Sequence, residues 1–111
     1  MANTTEELRN NTILELRRGM VVLAVLNQLR DEQYGYSLIK LLADKGFEID
    51  QGTLYPLLRR LEAQGLLLSK WRVEADRPRR YYAISAEGEK ILPQLKAEYH
   101  QMVQVMDEIL K

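Results

Sequence analysis

The chain has 111 residues, of which 46% are hydrophobic and 29% are charged, and its 16 basic and 16 acidic side chains give a formal net charge of zero. This composition predicts one globular domain with its own hydrophobic core and excludes an intrinsically disordered chain. The absence of cysteine excludes disulfides, thiolate metal sites and cysteine nucleophiles.

A long helix is predicted over residues 5–30, because apolar side chains recur there every three or four positions. Leu16 and Met20 begin this apolar stripe and are expected to be buried, and Gly19 is a candidate interruption of the helix. A turn is expected at residues 31–34. The start of the chain lacks the basic segment and long apolar run of a signal peptide, so we expect a cytoplasmic protein.

Two further helices are predicted over residues 36–45 and 51–64. Leucines at positions i, i+3, i+4 and i+7 mark the buried face of the third helix. Pro56 favours a start of that helix near Gly52 or Thr53, because proline is tolerated only in the first turn.

The hydrophobic period changes after the third helix. Residues 66–73 and 79–84 are rich in bulky and aromatic side chains, and the polar residues 74–78 separate them, which predicts an antiparallel hairpin. Ser85 is the expected N-cap of a last helix. Along that helix, apolar residues are spaced three and four positions apart, a heptad pattern typical of coiled-coil contacts. The pattern predicts a dimer interface made of Leu92, Leu95, Tyr99, Met102, Met106 and Ile109.

The predicted fold is therefore mainly α with a small β-hairpin. Three helices followed by a hairpin are the order of a winged helix-turn-helix, which we assign to residues 1–85 together with an N-terminal helical extension. Residues 86–111 form the predicted C-terminal dimerisation helix.

Basic residues are concentrated in the centre of the chain despite the net charge of zero. Residues 51–80 carry seven basic and three acidic side chains, and acidic residues outnumber basic ones on both sides of this segment. Local potential decides phosphate binding more than total charge does. The centre of the chain is therefore the candidate contact with nucleic acid.

In a winged helix the third helix presents its polar face to the major groove, and the hairpin lies along the flanking backbone or minor groove. Arginine can read guanine or hold phosphate, glutamine can read adenine, and threonine can touch a thymine methyl group. Tyrosine hydroxyls at the start of the second helix can reach phosphate oxygens. The candidate DNA-binding residues are Tyr34, Tyr36, Gln51, Gly52, Thr53, Tyr55, Pro56, Arg59, Arg60, Arg77, Arg79 and Arg80.

The sequence resembles the PadR-type transcriptional regulators over nearly its whole length. The resemblance lies in LRRG at residues 16–19, YGYSL at 34–38, GTLYPLLRRLE at 52–62 and RRYYAISAEG at 79–88, with Trp71 between the last two. It implies a bacterial homodimeric repressor of a palindromic operator, whose C-terminal helix dimerises against the partner's N-terminal helix. It also implies repression that a small molecule often relieves.

The single C-terminal helix resembles the short subgroup of that family. For the small-molecule effector, the candidate pocket lies at the dimer interface near Trp71, Tyr99 and Met102. No metal site and no cofactor are expected, because the chain has one histidine and no cysteine.

Two other functions stay open. A winged helix that binds a protein instead of DNA would explain the zero net charge and the heptad pattern equally well. It explains less well why basic residues fall on both the third helix and the hairpin. An enzyme is the third possibility, and we expect none, because the sequence contains no recognisable nucleophile–base pair, metal cluster or phosphate-binding loop.

Overall fold

Four helices and a three-stranded antiparallel sheet make up the computed structural model, which describes residues 4–111. The helices are α1 (Thr5–Gln28), α2 (Gly35–Asp44), α3 (Gln51–Ala63) and α4 (Ala86–Ile109). The strands β1 (Gln33–Tyr34), β2 (Leu67–Glu74) and β3 (Arg77–Ile84) lie in the order β1-β3-β2. The predicted mainly helical winged-helix fold is confirmed, and the first three residues of its predicted N-terminal part lie outside the described residues.

The hydrophobic core lies where α1, α2 and α3 meet, and the inner ends of β2 and β3 and the start of α4 close it. Leu26, Leu38 and Leu54 come from the three helices and are fully buried. All four leucines of the predicted α3 face are buried as well. Because burying one leucine side chain contributes about 1.5–3 kcal/mol, this face fixes α3 with its polar side towards solvent.

α1 is one continuous helix, so the candidate interruption at Gly19 does not occur. Its buried face includes Val21 and Val25 rather than Leu16 and Met20, which are 76% and 42% exposed. The predicted stripe was wrong at this end because apolar side chains cover more than one face of α1. Leu16 and Met20 belong to an outer face that the protomer itself does not cover.

β1 lies where the sequence predicted only a turn. Its two residues pair antiparallel with Tyr81 and Tyr82 of β3. A strand of two residues has no alternating pattern of its own, so only its distant pairing partner defines it. The pairing ties the start of α2 to the inner half of β3 and leaves the outer half of the β2–β3 hairpin two-stranded.

The outer part of the hairpin, residues 70–80, is called the wing below. Its turn consists of Ala75 and Asp76 alone, whose φ values are 50° and 62°. Two consecutive residues of positive φ give the turn whose twist matches an antiparallel hairpin. The predicted turn over residues 74–78 was therefore too long, and Pro78 lies inside β3, opposite Val73.

α3 begins at Gln51, slightly earlier than the start near Gly52 or Thr53 that Pro56 favours. The Asp50 carboxylate caps the helix by accepting a hydrogen bond from the Thr53 amide at 2.7 Å. The cap and the four buried leucines hold α3 in place although Pro56, in the second turn, removes one amide donor from the helix. The cap holds the first turn of α3 in a fixed position at the protein surface.

Ser85 caps α4, as predicted. Its hydroxyl accepts a hydrogen bond from the Gly88 amide at 3.0 Å and donates one to the Gly65 carbonyl oxygen at 2.6 Å. Gly88 lies directly against the chain that joins α3 to β2, and a Cβ at this position would lie 2.5 Å from the Leu66 carbonyl oxygen. The start of α4 is therefore closely packed on the base of the wing hairpin.

We expect Gly88→Ala to lower the free energy of unfolding by about 1–3 kcal/mol, because the added methyl group overpacks a backbone contact. Urea unfolding followed by far-UV circular dichroism measures the change. Gly19→Ala is the matched control, since nothing lies within 4 Å of a Cβ there. Alanine favours a helix interior by about 1 kcal/mol over glycine, so equal losses in the two variants would contradict the prediction.

Candidate nucleic-acid interface

The polar face of α3 is exposed along its whole length. Arg59 and Arg60 make no ion pair with any carboxylate among residues 4–111, so both guanidinium groups are available to a ligand. The buried leucines on the opposite side of α3 keep this face turned outwards. The predicted residues exposed on it are Gln51, Gly52, Thr53, Pro56, Arg59 and Arg60.

Tyr55 differs from the other predicted α3 residues because it is half-buried and packs against the core. Its ring also covers Gly35 at the start of α2, and a Cβ at Gly35 would collide with it. Tyr55 therefore sets the spacing between α2 and α3 and offers only part of its surface to a ligand.

The two predicted tyrosines at the start of α2 have different environments. Tyr36 is 55% exposed. Tyr34 is half-buried, and its ring contacts the Tyr81 ring edge-on, with 5.4 Å between the centroids. The guanidinium of Arg79 lies 4.5 Å from the Tyr34 centroid on the wing side. Tyr34 thus supports the wing, and Tyr36 is the freer of the two rings.

The three predicted wing arginines also differ from one another. Arg77 is exposed and has no carboxylate partner among the described residues. Arg79 lies 3.6 Å from a carboxylate oxygen of Glu74. Arg80 lies 2.8 Å from a carboxylate oxygen of Glu62 on α3. All three were expected to be available to DNA, but of the three only Arg77 makes no ion pair within the described residues.

Tyrosines on β3 stay neutral beside these arginines. The Tyr81 hydroxyl donates a hydrogen bond of 2.8 Å to Glu74, which raises the pKa of Tyr81 above its usual value of 10.0. Burial raises the pKa of Tyr82. Near neutral pH, Tyr81 and Tyr82 therefore add no charge to this surface.

A groove of about 610 Å³ separates α3 and the start of α2 from the wing. It brings together eight of the twelve predicted DNA-binding residues. Three others, Thr53, Pro56 and Arg60, line a second groove between α3 and α1. The eight residues of the first groove are Tyr34, Tyr36, Gln51, Tyr55, Arg59, Arg77, Arg79 and Arg80.

The structure adds residues that the sequence reasoning did not place at this surface. Trp71 is 66% exposed and lines the first groove. Arg17 and Arg18 of α1 line the second groove with Arg60. The LRRG stretch was a signal for these two arginines, but nothing in the sequence placed it beside α3.

The residues predicted for the effector pocket are not brought together within one protomer. Trp71 lies in the groove beside the wing, and neither Tyr99 nor Met102 lines that groove. The predicted dimer residues on α4 are likewise divided. Leu92 is only 3% exposed because it packs in the protomer's own core, whereas Met102 is 57% exposed.

The chemistry of this surface is that of recognition by cations, hydroxyls and aromatic rings. These groups bind phosphate oxygens and the edges of bases. Within residues 4–111, no three histidine, aspartate or glutamate side chains are placed to hold a metal ion. No helix in the described part of the chain is long and apolar enough to cross a membrane.

Known proteins resemble this chain in both sequence and fold. The family model described as the transcriptional regulator PadR-like family matches residues 22–94. A transcriptional regulator of Mycobacterium tuberculosis is 42% identical over 79 residues, which are 70% of this chain and 74% of that protein. The crystal structure of a PadR family transcriptional regulator from Eggerthella lenta shares 44% identity, with a TM-score of 0.86 over 96% of this chain and 95% of that one. The structure of a transcriptional regulator from Clostridium thermocellum shares 31% identity, with a TM-score of 0.77 over 87% and 99% of the two chains.

Proposed function

This chain belongs to the PadR-like family of transcriptional regulators, and we propose that it is a cytoplasmic homodimeric repressor that binds a palindromic operator. It is not an enzyme, since the family and the relatives are transcriptional regulators. The observation that carries the proposal is the pairing of two basic elements. The unpaired guanidinium group of Arg59 on α3 lies across the first groove from a wing whose tip carries the unpaired Arg77, and the unpaired Arg60 lines the second groove, between α3 and α1.

On this proposal, α3 enters the major groove with its polar face. Gln51, Thr53 and the two arginines are side-chain types that read base edges or hold phosphates. The wing then lies along the flanking backbone, where Arg77 neutralises a phosphate. Tyr36, at the start of α2, adds a hydroxyl that can donate to a phosphate oxygen.

The dimer is proposed from the apolar side chains that the protomer leaves exposed. The radius of gyration is 16.2 Å, compared with about 13 Å for a compact chain of this length, so α1 and α4 extend away from the core. A second copy would cover their exposed apolar side chains in a two-fold, self-complementary contact. This outer apolar surface comprises Leu8, Leu14, Leu16 and Met20 of α1, Met102, Val103, Val105, Met106 and Ile109 of α4, and Leu110 directly after α4.

Repression follows from occupancy. A two-fold dimer presents two α3 helices to major grooves about 34 Å apart, so it occupies a palindromic site and excludes polymerase from it. A small molecule at the dimer seam can relieve repression only if it binds one spacing of the two helices better than the other. A pocket that contains Trp71, Tyr99 and Met102 would need both protomers. If substitution of these three residues left the response to a ligand unchanged, the pocket would be refuted.

The proposal is tested by fluorescence-anisotropy binding to duplex DNA from the region upstream of the protein's own gene. The assay contains about 0.15 M salt and nonspecific competitor, because competitor-resistant binding separates recognition from charge attraction. Specific binding gives the operator for footprinting. If neither this duplex nor any duplex enriched from a random pool resists competitor, the function is refuted.

We expect Arg77→Ala to reduce the slope of log K against log salt by about 0.9, because one phosphate contact is lost. The salt dependence of anisotropy titrations between about 0.05 and 0.2 M salt measures this slope. Lys90→Ala is the control, since Lys90 is an exposed cation on α4 whose ion-pair partner, Glu87, is also on α4. An unchanged slope for Arg77→Ala would mean that the wing does not touch the backbone.

The second candidate is a winged helix that binds another protein. The zero net charge and the outer apolar surface favour it. It gives no role to the unpaired Arg59 and Arg60, and substitution of this pair therefore separates the two functions.

A further inference from the structure

We propose that Glu62, Ser69 and Arg80 form a brace that fixes the angle between α3 and the wing. Arg80, which the sequence predicts to contact DNA, is on this proposal a positioning residue. The brace itself is a property of the free protein. Its consequence for DNA recognition rests on the proposed function.

The three side chains form a closed ring of polar contacts. One carboxylate oxygen of Glu62 lies 2.8 Å from an Nη atom of Arg80, and the other accepts a hydrogen bond of 2.5 Å from the Ser69 hydroxyl. The Nε of Arg80 donates to the same hydroxyl oxygen at 3.0 Å. Glu62 is on α3, Ser69 on β2 and Arg80 on β3, so the ring joins the last turn of the helix to both strands of the hairpin.

Packing holds the guanidinium of Arg80 in this ring. The side chains of Arg80 and Glu62 are only 36% and 27% exposed. The guanidinium lies 5.5 Å from the centroid of the Tyr82 ring and 5.8 Å from that of Trp71. With its Nε and one Nη committed to α3 and β2, Arg80 has little freedom to reach a phosphate.

The ring lies where the backbone provides least support for the wing. The link from α3 to β2 passes through Gly65 at a φ of 87°, a conformation that few other residues adopt. The third strand pairs with β3 only as far out as Tyr81, so from Arg80 outwards the hairpin has two strands. Two-stranded hairpins are marginally stable in water. Glu62 therefore holds the first wing residue that no third strand covers.

A second carboxylate holds the opposite face of the wing. Glu32 lies 3.3 Å from Nζ of Lys70 and 2.6 Å from an Nη atom of Arg72. These two residues alternate with Ser69 and Trp71 along β2 and so point away from α3. The wing is thus held between two glutamates, of which only Glu62 connects it to the proposed recognition helix.

The substitution Glu62→Gln removes a negative charge, and the direction in which it changes DNA affinity shows whether Glu62 acts by positioning the wing or only through its charge. Glu62 is an anion close to a surface that attracts phosphate, so simple charge attraction predicts that Glu62→Gln tightens DNA binding. The brace predicts weaker binding, because a wing that is loose in the free protein must be ordered on the DNA. The two explanations therefore predict opposite changes for one substitution that removes no DNA-facing group.

Trp71 reports on the brace without any DNA. It is the only tryptophan of the chain, and its ring faces the Arg80 guanidinium across the β2–β3 pair. Loss of the Glu62 contact is expected to lower the fluorescence anisotropy of Trp71 and to raise its quenching by acrylamide. Glu87→Gln is the control, because Glu87 is an exposed carboxylate whose only ion pair among the described residues is with Lys90.

The experiment compares Glu62→Gln, Arg80→Gln and their double variant with the wild-type protein. A duplex enriched from a random pool by the wild-type protein is the DNA probe. We expect about fivefold weaker binding for each single variant and no further loss in the double variant, because both substitutions break one unit. The slope of log K against log salt should stay unchanged. Ser69→Ala removes the two hydroxyl contacts of the ring but keeps both charges and the ion pair between Glu62 and Arg80, so it should give a smaller change in the same direction.

Three results would overturn the brace. They are tighter binding by Glu62→Gln, a salt slope that falls by about 0.9 in Arg80→Gln as for a phosphate contact, and unchanged Trp71 fluorescence in Glu62→Gln. If the wild-type protein enriched no duplex, the proposed function would fail, and the fluorescence of Trp71 would still decide the brace. Far-UV circular dichroism verifies that each variant is folded at the assay temperature.

Discussion

Replacement of Arg59 and Arg60 together with alanine is expected to weaken specific operator binding by about 100-fold. Each arginine that reads a guanine or holds a phosphate contributes about 1–3 kcal/mol, and 2.7 kcal/mol is about a factor of 100 in affinity. Both side chains are exposed and unpaired, so the substitution disturbs no ion pair in the described part of the protein. Anisotropy titration of the footprinted operator at fixed salt measures the loss.

The double variant Lys90→Ala/Lys111→Ala removes the same charge from α4 and from the segment that follows it. Both lysines are exposed, and each forms an ion pair with the glutamate three residues earlier in the sequence. This control should change operator affinity by less than about threefold, because it alters the net charge without touching the proposed interface. If the Arg59/Arg60 variant kept the control's affinity and all biological activity, a protein partner would replace DNA as the ligand of this surface.

The helices of the fold were predictable because their buried faces have a clear period. The leucines of α3 occur at i, i+3, i+4 and i+7 and are all buried, and Ser85 caps α4 as its hydroxyl suggested. Burial of one face against one core is a local property that the sequence records directly. The exposed face of α3 follows from the buried one, which is why most of the candidate interface could be predicted.

α1 shows where the same reasoning fails. Leu16 and Met20 have the spacing of buried residues, yet they lie on the outer surface while Val21 is 7% exposed in the core. The spacing of apolar residues identifies a hydrophobic face of the helix. It does not show whether that face packs in the protomer's own core or against a partner. On a helix with two apolar faces, only the packed structure separates them.

The sheet and the brace depend on contacts between distant parts of the chain. β1 exists because two residues near position 33 meet β3, some fifty residues later. Arg80 looked like its neighbour Arg79 in the sequence, and only the approach of Glu62 from α3 makes it a structural residue. A count of charges treats every arginine as free in solvent, whereas in the folded protein some arginines are paired with carboxylates.

The outer part of α4 offers the clearest test of the proposed dimer. Met102 and Met106 are 57% and 43% exposed in the protomer. In a two-fold contact both protomers contribute them, so four methionine side chains become buried. If burial of each of the four methionine side chains contributes about 1 kcal/mol, the methionines together stabilise the dimer by about 4 kcal/mol. Leu92 contributes little, because the protomer already buries it.

Met102→Glu/Met106→Glu is therefore expected to raise the dimer dissociation constant by about a thousandfold, because four charges would have to enter an apolar seam. Sedimentation velocity should show a species of 13.0 kDa instead of twice that mass, and binding to the palindrome should fall to that of one half-site.

Gln101→Glu/Gln104→Glu is the matched control, since it adds the same charge to exposed positions off the heptad seam. This control should remain dimeric with wild-type affinity. If the methionine variant also remained a dimer, the contact between protomers would lie elsewhere, and the spacing of the two α3 helices would have to be derived from that other contact.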